Sequence, residues 1–336
     1  MIAVDANGAD KGAAAVAEGA RRSGLPVMLF GPAGSLAGAG PQAEIVDAPK
    51  TVKAGVEPVA AVRSRRDASI VQAARAVADG RADALVSAGS TGPTLAAATL
   101  SIKRIHGVFR PALAVLLPIP GGPVLMLDAG ASVEVRPDHL VQFAYMGASF
   151  MEVVVGRPRP RVGILSVGEE SGKGTPDVLA AHERIAAGDL NFVGNLEGFD
   201  LPRAAADVVV TDGFTGNVAL KVLEGTSQVV RDTIRERVRS GPVSSLGGLL
   251  IQGKVDRLRE ELDPERVGGA LLLGLRKPVV VAHGSFGPTG IEHAIKLARR
   301  AVDEDMVGRT GTALETAGVL RSVPAASVAV GSTGDT

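Results

Sequence analysis

The sequence predicts an α/β protein on a mostly parallel sheet, and three observations carry that prediction. Short aliphatic and β-branched runs recur along the chain, each run opens into a glycine-rich loop, and each loop leads into a stretch with helical spacing. Gly accounts for 43 of the 336 residues, well above the usual ~7%, and the excess gathers at the strand exits. Aromatic residues reach only 3% and Trp is absent.

Six strand-to-helix junctions follow in chain order. Ile2–Asp5 opens into Ala6–Gly12 and an Ala-rich helix, and Asp83–Ala88 into Gly89-Ser90-Thr91-Gly92-Pro93 and a helix over Thr94–Ile105. Pro123–Asp128 leads through Ala129–Ser132 to a helix over Pro137–Val154, and Arg161–Val167 through Gly168–Gly174 to a helix from Pro176. Asp207–Thr211 leads through Asp212–Asn217 to Val218–Glu224, and Pro278–Ala282 through His283–Gly287 to Gly290–Val302. In open α/β sheets the strand carboxyl ends border the ligand crevice, where glycine turns let backbone N–H groups and helix N-termini face an anion. Any parallel sheet also needs tight βα turns, for which glycine supplies positive φ. Six such loops together favour an anion site.

Composition narrows the function. Hydrophobic residues make up 46% and charged residues 21%, which fits a packed globular chain. Lys+Arg and Asp+Glu both number 36, so no global cationic field exists to hold nucleic acid. With no Cys, disulfides, thiolate metal sites and cysteine nucleophiles are excluded, and a cytoplasmic location is expected. The start Met1-Ile2-Ala3-Val4-Asp5 has no basic region, and no uncharged apolar run reaches about 18 residues, so neither a signal peptide nor a membrane span is expected. We read residues 1–322 as a single α/β unit with room for two lobes, including an amphipathic arm at 228–262. The small, polar tail 323–336 is expected to be disordered.

Several familiar motifs fail on spacing. Gly168–Lys173 lacks the first glycine and the closing Ser or Thr of a nucleotide triphosphate loop, because Val167 and Gly174 stand there. No strand is followed by Gly-x-Gly-x-x-Gly with a later acidic residue, there is no Gly-x-Ser-x-Gly, and the five histidines have no zinc-hydrolase spacing. What remains is a set of glycine loops rich in Asp, Asn, Thr and Glu with one Lys, and no evident covalent nucleophile. Such a site suits a reaction in which a bound phosphate, largely a dianion at neutral pH, is itself the nucleophile.

Thr211-Asp212-Gly213-Phe214-Thr215-Gly216-Asn217-Val218, followed by Leu220-Lys221 and Glu224-Gly225, closely resembles the strongest motif of the PlsX-type phosphate acyltransferases. Ser87–Gly92, Arg110-Pro111-Ala112, Leu127–Ala131, Gly168-Glu169-Glu170 with Lys173-Gly174, and Gly269–Gly274 through His283-Gly284 fall in that family's order. The resemblance covers about residues 1–310. Four places depart from it: the family's opening Asp-x-Met-Gly-Gly-Asp is Asp5-Ala6-Asn7-Gly8-Ala9-Asp10 here, Ser90 and Ser132 stand for the usual Asn, and Pro93 replaces a small residue.

The resemblance implies transfer of a fatty acyl group from acyl carrier protein to inorganic phosphate, giving acyl phosphate for phospholipid synthesis. It further implies a three-layer α/β/α fold like the isocitrate/isopropylmalate dehydrogenases, usually a homodimer, with no metal or organic cofactor. A phosphate acetyl- or butyryltransferase using coenzyme A, and a non-catalytic membrane scaffold, remain as alternatives. On this reading Ser90-Thr91-Gly92 and Thr215-Gly216-Asn217 hold the phosphate through backbone N–H groups and hydroxyls, with charge from Lys173 or Lys221. Asn7, Gly8, Asp128, Ser132 and Glu169 belong to the same phosphate-binding set. Asn217 donates to the thioester oxygen, Asp212 orients the donors, and His283 is the candidate acid for the leaving thiol. Asp5, Asp10 and Asp128 orient loops, and Glu169 and Glu170 hold the Lys173 loop closed. Plain alternatives stand beside these roles: Ser90 or Asn217 as an ordinary N-cap, Pro93 at the first helical position, Lys221 as a surface lysine, His283 as a structural residue.

The segment 228–262 reads as a basic amphipathic helix, Gln228–Arg239, an uncharged apolar tip, Ser240–Gly253, and a second short helix, Lys254–Leu262. Arg231, Arg235 and Arg239 with Leu246, Leu249, Leu250 and Ile251 suit shallow contact with a membrane, reception of the acidic carrier protein, or a dimer interface.

Overall fold

The computed structural model describes residues 1–52 and 57–321; the expected disordered tail lies outside the described residues. The first half of the chain runs β1 (Ile2–Asp5), α1 (Ala13–Ser23), β2 (Val27–Gly31), α2 (Ala33–Leu36), β3 (Ala43–Asp47), α3 (Pro58–Ser64), α4 (Ser69–Ala78), β4 (Ala84–Ser87) and α5 (Thr91–Ser101). Then come β5 (Ala112–Leu117), β6 (Val124–Leu127), α6 (Pro137–Phe150, running into a π-helical turn), β7 (Val162–Leu165), α7 (Pro176–Ala186), β8 (Phe192–Leu196) and β9 (Val208–Val210). The chain closes with α8 (Gly213–Arg239), α9 (Pro242–Glu261), α10 (Pro264–Val267), β10 (Ala270–Leu273), β11 (Val279–Val281), α11 (Pro288–Asp303) and α12 (Met306–Thr316).

All eleven strands form one sheet in the order β3-β2-β1-β4-β11-β10-β5-β6-β9-β7-β8. The strands β3, β2, β1, β4 and β11 run parallel to one another, as do β6, β9, β7 and β8. Between them β10 is antiparallel to β11 and to β5, and β5 is antiparallel to β6. The two parallel halves therefore point in opposite senses, joined through antiparallel pairs.

The strand sequences explain the layers. Side chains alternate between the two faces of a strand, and here both faces are apolar: Ile2 and Val4 enter one core while Ala3 enters the other, and Leu125 and Leu127 divide in the same way from Val124 and Met126. Helices α1, α6, α7, α11 and α12 cover the first face and α3, α4 and α5 the second. Continuous aliphatic runs are what a sheet covered on both sides requires.

The six expected junctions all carry strands, but β2, β3, β5, β8 and β10 had no reading. Two further expectations are corrected. The segment Asp212–Asn217 is not a loop before a helix at Val218: α8 begins at Gly213 and runs unbroken to Arg239. The apolar tip Ser240–Gly253 is mostly helix as well, because α9 begins at Pro242. The arm is thus a pair of long helices touching where Gly248 lies against Val238 and Ser245 Oγ donates to the Val238 carbonyl at 3.3 Å. Only Gly213 and Gly216 of α8 are buried, and none of α9. Among the described residues no helix is long and apolar enough to cross a membrane.

Candidate active site

The candidate residues lie at the carboxyl ends of the strands in two groups, each tied by its own contacts. No hydrogen bond or ion pair among the described residues joins one group to the other.

The first group gathers around β1, β4 and β11. Asp5 ends β1 fully buried, where its Oδ2 accepts from Ser87 Oγ at 3.0 Å and its Oδ1 from the Asn7 N–H at 3.3 Å. Ser87 Oγ in turn accepts from the Gly89 N–H at 3.2 Å and lies 2.9 Å from Thr94 Oγ1. Beside this network the buried Ser69 hydroxyl makes no hydrogen bond among the described residues. Burial pushes the Asp5 carboxyl up to about 6, against the lowering effect of these donors.

At the start of α5, Ser90 occupies the N-cap position without a side-chain cap bond. Pro93 sits at the third helical position, not the first, because the helix opens at Thr91. The N–H groups of Thr91 and Gly92 make no hydrogen bond to another described residue. A helix N-terminus left open in this way carries partial positive charge. Gly8 approaches the opposite side, where a Cβ would lie 3.2 Å from the Gly89 Cα. Asn7 is engaged differently from its expected phosphate role: its Nδ2 donates to the Ala48 carbonyl at 2.8 Å and pins the chain leaving β3. His283 is exposed, and its Nδ1 accepts the Ser285 N–H at 3.3 Å with Ser285 Oγ at 2.8 Å, which assigns the proton of the neutral ring to Nε2. The loop after it is latched by Glu265 of α10, which accepts from the N–H groups of Gly287 at 2.9 Å and Gly290 at 3.2 Å.

The second group gathers around β6, β9 and β7. Asp128 has no solvent exposure and accepts four backbone N–H bonds, from Leu113, Gly130 and Ala131 on Oδ1 and from Ser132 on Oδ2. Burial pushes its carboxyl up and the four donors pull it down, with burial the larger effect. The first turn of α8 lies on this loop. A Cβ on Gly213 would meet the Ser132 carbonyl at 2.7 Å, and one on Gly216 would overlap the Asp128 carbonyl oxygen. Asp212, not Asn217, is the N-cap: its Oδ1 accepts the Thr215 N–H at 2.8 Å and its Oδ2 the Thr215 hydroxyl at 2.6 Å.

That geometry corrects the expected phosphate set. The Gly213, Thr215 and Gly216 N–H groups are committed to Ser132, to the Asp212 side chain and to the Asp212 carbonyl, so Thr215-Gly216-Asn217 offers no free backbone donors. Asn217 keeps an exposed side-chain amide, about 3.8 Å from where a Cβ on Gly130 would stand. Lys221 pairs with Glu224 at 2.7 Å on the helix surface, whereas Lys173 has no ion pair among the described residues. Neither Glu169 nor Glu170 pairs with Lys173. The loop is held instead by Asn195 of β8, whose Nδ2 donates to the carbonyls of Gly168, Glu170 and Lys173 at 3.2, 2.8 and 3.1 Å. Sequence reasoning missed Asn195, whose one local signal is an amide inside the aliphatic strand Phe192–Leu196.

Two outcomes test this geometry. An acid with a raised folded pKa leaves stability untouched below its unfolded value, here 3.8, and weakens the fold increasingly as pH rises to about 6. Between pH 4 and pH 7 the unfolding free energy of wild type should therefore fall relative to Asp5→Asn by about 2 kcal/mol; a difference independent of pH contradicts the buried, raised acid. Gly216→Ala drives a methyl into backbone and should lower unfolding stability by about 3 kcal/mol, while Gly225→Ala, with open space around it, should leave chemical-denaturation midpoints unchanged or higher.

Comparison with known proteins accords with this architecture. A family model described as "Fatty acid synthesis protein" matches residues 1–309. The phosphate acyltransferase of Geobacillus sp. (strain WCH70) is 42% identical over 323 residues, covering 94% of this chain and 98% of the relative. That of Anoxybacillus flavithermus is 45% identical over 78% of this chain and 80% of its own length. Among solved structures, EutD phosphotransacetylase from Staphylococcus aureus superposes with TM-score 0.55 at 18% identity, over 89% of this chain and 94% of its own. The 4-hydroxythreonine-4-phosphate dehydrogenase from Klebsiella pneumoniae superposes with TM-score 0.52 at 15% identity, over 90% and 99%. At these identities the structures speak for the fold alone, and they match the dehydrogenase-like α/β architecture expected from the sequence. With the loops, the sheet and the full-length relatives in agreement, the chain belongs to the fatty acid synthesis protein family, among the phosphate acyltransferases.

Proposed function

We propose that the protein moves a fatty acyl group from acyl carrier protein to inorganic phosphate, releasing acyl phosphate for phospholipid synthesis. The observation that carries this reading is the pair of helix N-termini at strand exits: α5 with open N–H groups at Thr91 and Gly92, and α8 fixed on Asp128 so that Asn217 is exposed. Phosphate would sit against α5, receiving the Ser90 hydroxyl, with Lys173 supplying charge.

One phosphate oxygen then attacks the thioester carbonyl carbon. As that carbon becomes tetrahedral, negative charge develops on its oxygen, and the Asn217 amide donates to it. Collapse breaks the C–S bond, and the departing thiolate takes the proton that the attacking hydrogen phosphate gives up, while the Nε2–H of His283, its ring fixed by Ser285, donates a hydrogen bond to the leaving sulfur. Asp212 holds the first turn of α8 and Asp128 the loop beneath it, so both act by position. Ser132, itself buried, closes that loop through its backbone N–H and carbonyl.

The activity test is phosphate-dependent consumption of long-chain acyl carrier protein, with the product trapped by hydroxylamine as the hydroxamate. Turnover that is no faster with phosphate, or that runs equally well on acyl-coenzyme A, contradicts the proposal. Asn217→Ala should lower kcat by roughly 10²-fold with little change in Tm, because Asn217 caps nothing; an unchanged kcat removes it from the reaction.

The α8–α9 arm belongs to the same proposal as a peripheral membrane contact. Val243, Leu246, Leu249, Leu250 and Ile251 are all more than half exposed, Leu250 at 81%, on helices that also carry Arg231, Arg235 and Arg239. An acyl phosphate has a long apolar chain, and a membrane-facing arm spares it passage through water. Replacing Leu249, Leu250 and Ile251 by Ser should abolish flotation with anionic vesicles while turnover and dimer mass persist. Unchanged flotation, or collapse to a monomer, contradicts the membrane reading.

A further inference from the structure

Asn195 is a buried amide whose nitrogen and oxygen are both engaged, and its partners all belong to the site's periphery. Its Nδ2 faces three carbonyls of the loop leaving β7, those of Gly168, Glu170 and Lys173. Its Oδ1 lies 2.8 Å from His182 Nδ1. Because three acceptors fix which end of the amide is the nitrogen, the His182 ring must donate from Nδ1. His182 is itself held edge-on against Phe192, with ring centroids 5.0 Å apart.

The consequence lies on the other side of the loop. In a trans peptide the N–H points opposite to the C=O of the same unit. Turning the carbonyls of Gly168, Glu170 and Lys173 inward onto Asn195 turns outward the N–H groups of the residues that follow, Glu169, Ser171 and Gly174. None of these three donates to a described residue. Gly174 takes φ +133°, which lets the last of these peptides turn. Lys173, exposed and without an ion pair among the described residues, stands in the same loop. Three N–H groups turned away from Asn195 in one short loop, beside a lysine, can together receive an anion.

We infer that Asn195 is a positioning residue which, by gathering three carbonyls behind the loop, presents the N–H groups of Glu169, Ser171 and Gly174 with Lys173 to a phosphate oxyanion. This rests on the reading of Lys173 as a phosphate-site residue. The oxyanion has two sources of the same chemistry: the inorganic phosphate substrate, and the phosphodiester in the prosthetic arm of the carrier protein.

The test uses Asn195→Asp, which keeps the volume and the acceptor for His182 while replacing the donors with a carboxylate facing three carbonyls, and Asn195→Ala, with Lys173→Ala as reference. Full saturation curves are measured for both inorganic phosphate and acyl carrier protein, with Tm recorded for each variant. Both Asn195 variants are expected to raise one of the two KM values at least 10-fold with kcat changed less than 3-fold. A rise for inorganic phosphate assigns the loop to that substrate, and a rise for acyl carrier protein alone assigns it to the phosphodiester. Asn195→Asp behaving as wild type would show that the amide only fills space. If Lys173→Ala raises a KM and the Asn195 variants do not, the inference fails while the phosphate reading stands; if Lys173→Ala moves neither KM, the underlying reading fails. Should Asn195→Ala not fold, hydrogen exchange at Glu169, Ser171 and Gly174 in wild type, slowed by saturating inorganic phosphate or by acyl carrier protein, gives the same decision, and exchange unaffected by either ligand overturns the inference.

Discussion

A carboxylate without solvent exposure destabilises a fold unless hydrogen bonds replace its water, and Asp128 meets that demand with four backbone N–H groups from β5 and from the turn after β6. Satisfying Asp128 curls residues 128–132 into a fixed shape, and that shape is the surface on which the first turn of α8 rests. Contact is close enough to exclude any side chain at Gly213 or Gly216. The position of Asn217, one residue beyond, follows from this contact. Asp212 completes the arrangement by closing the helix on itself through Thr215. The family's most specific motif is thus largely a device for seating a helix, with one exposed amide as its outward product.

The sheet sets the larger frame. Two parallel halves point in opposite senses and meet through antiparallel β10 and β5, so each half contributes its own set of carboxyl-end loops. The arm is rooted in both. Its first residues are the α8 turn on Asp128, and just beyond its second helix Glu265 of α10 latches the loop that follows His283.

Much of this was legible in the sequence because it is local. Aliphatic runs with glycine exits identified strands, and the motif around Asp212 identified the family. One misread part has a definite cause, which is that glycine has two meanings. In Asp212–Asn217 two glycines suggested a loop, since glycine lowers helix propensity by about 1 kcal/mol; their actual reason is close approach to Asp128, a contact with residues far away in sequence. Gly248 serves a similar close approach, making room for Val238 between α8 and α9. The reversal of β5 and β10 has no local signature at all. Glu169 and Glu170 were plausible partners for Lys173 by proximity in sequence, but a partner from a neighbouring strand, Asn195, already occupies the loop's carbonyls.

The central claim is that phosphate itself is the nucleophile, positioned by the glycine-bordered N-terminus of α5 without a covalent acyl-enzyme. Its most direct measurement is isotope exchange between labelled, unacylated carrier protein and acyl carrier protein, with intact-mass analysis of the enzyme. Without phosphate the account predicts no exchange beyond the uncatalysed rate and no acyl mass on the chain; catalysed exchange in phosphate-free buffer, accompanied by an acylated enzyme, would contradict it.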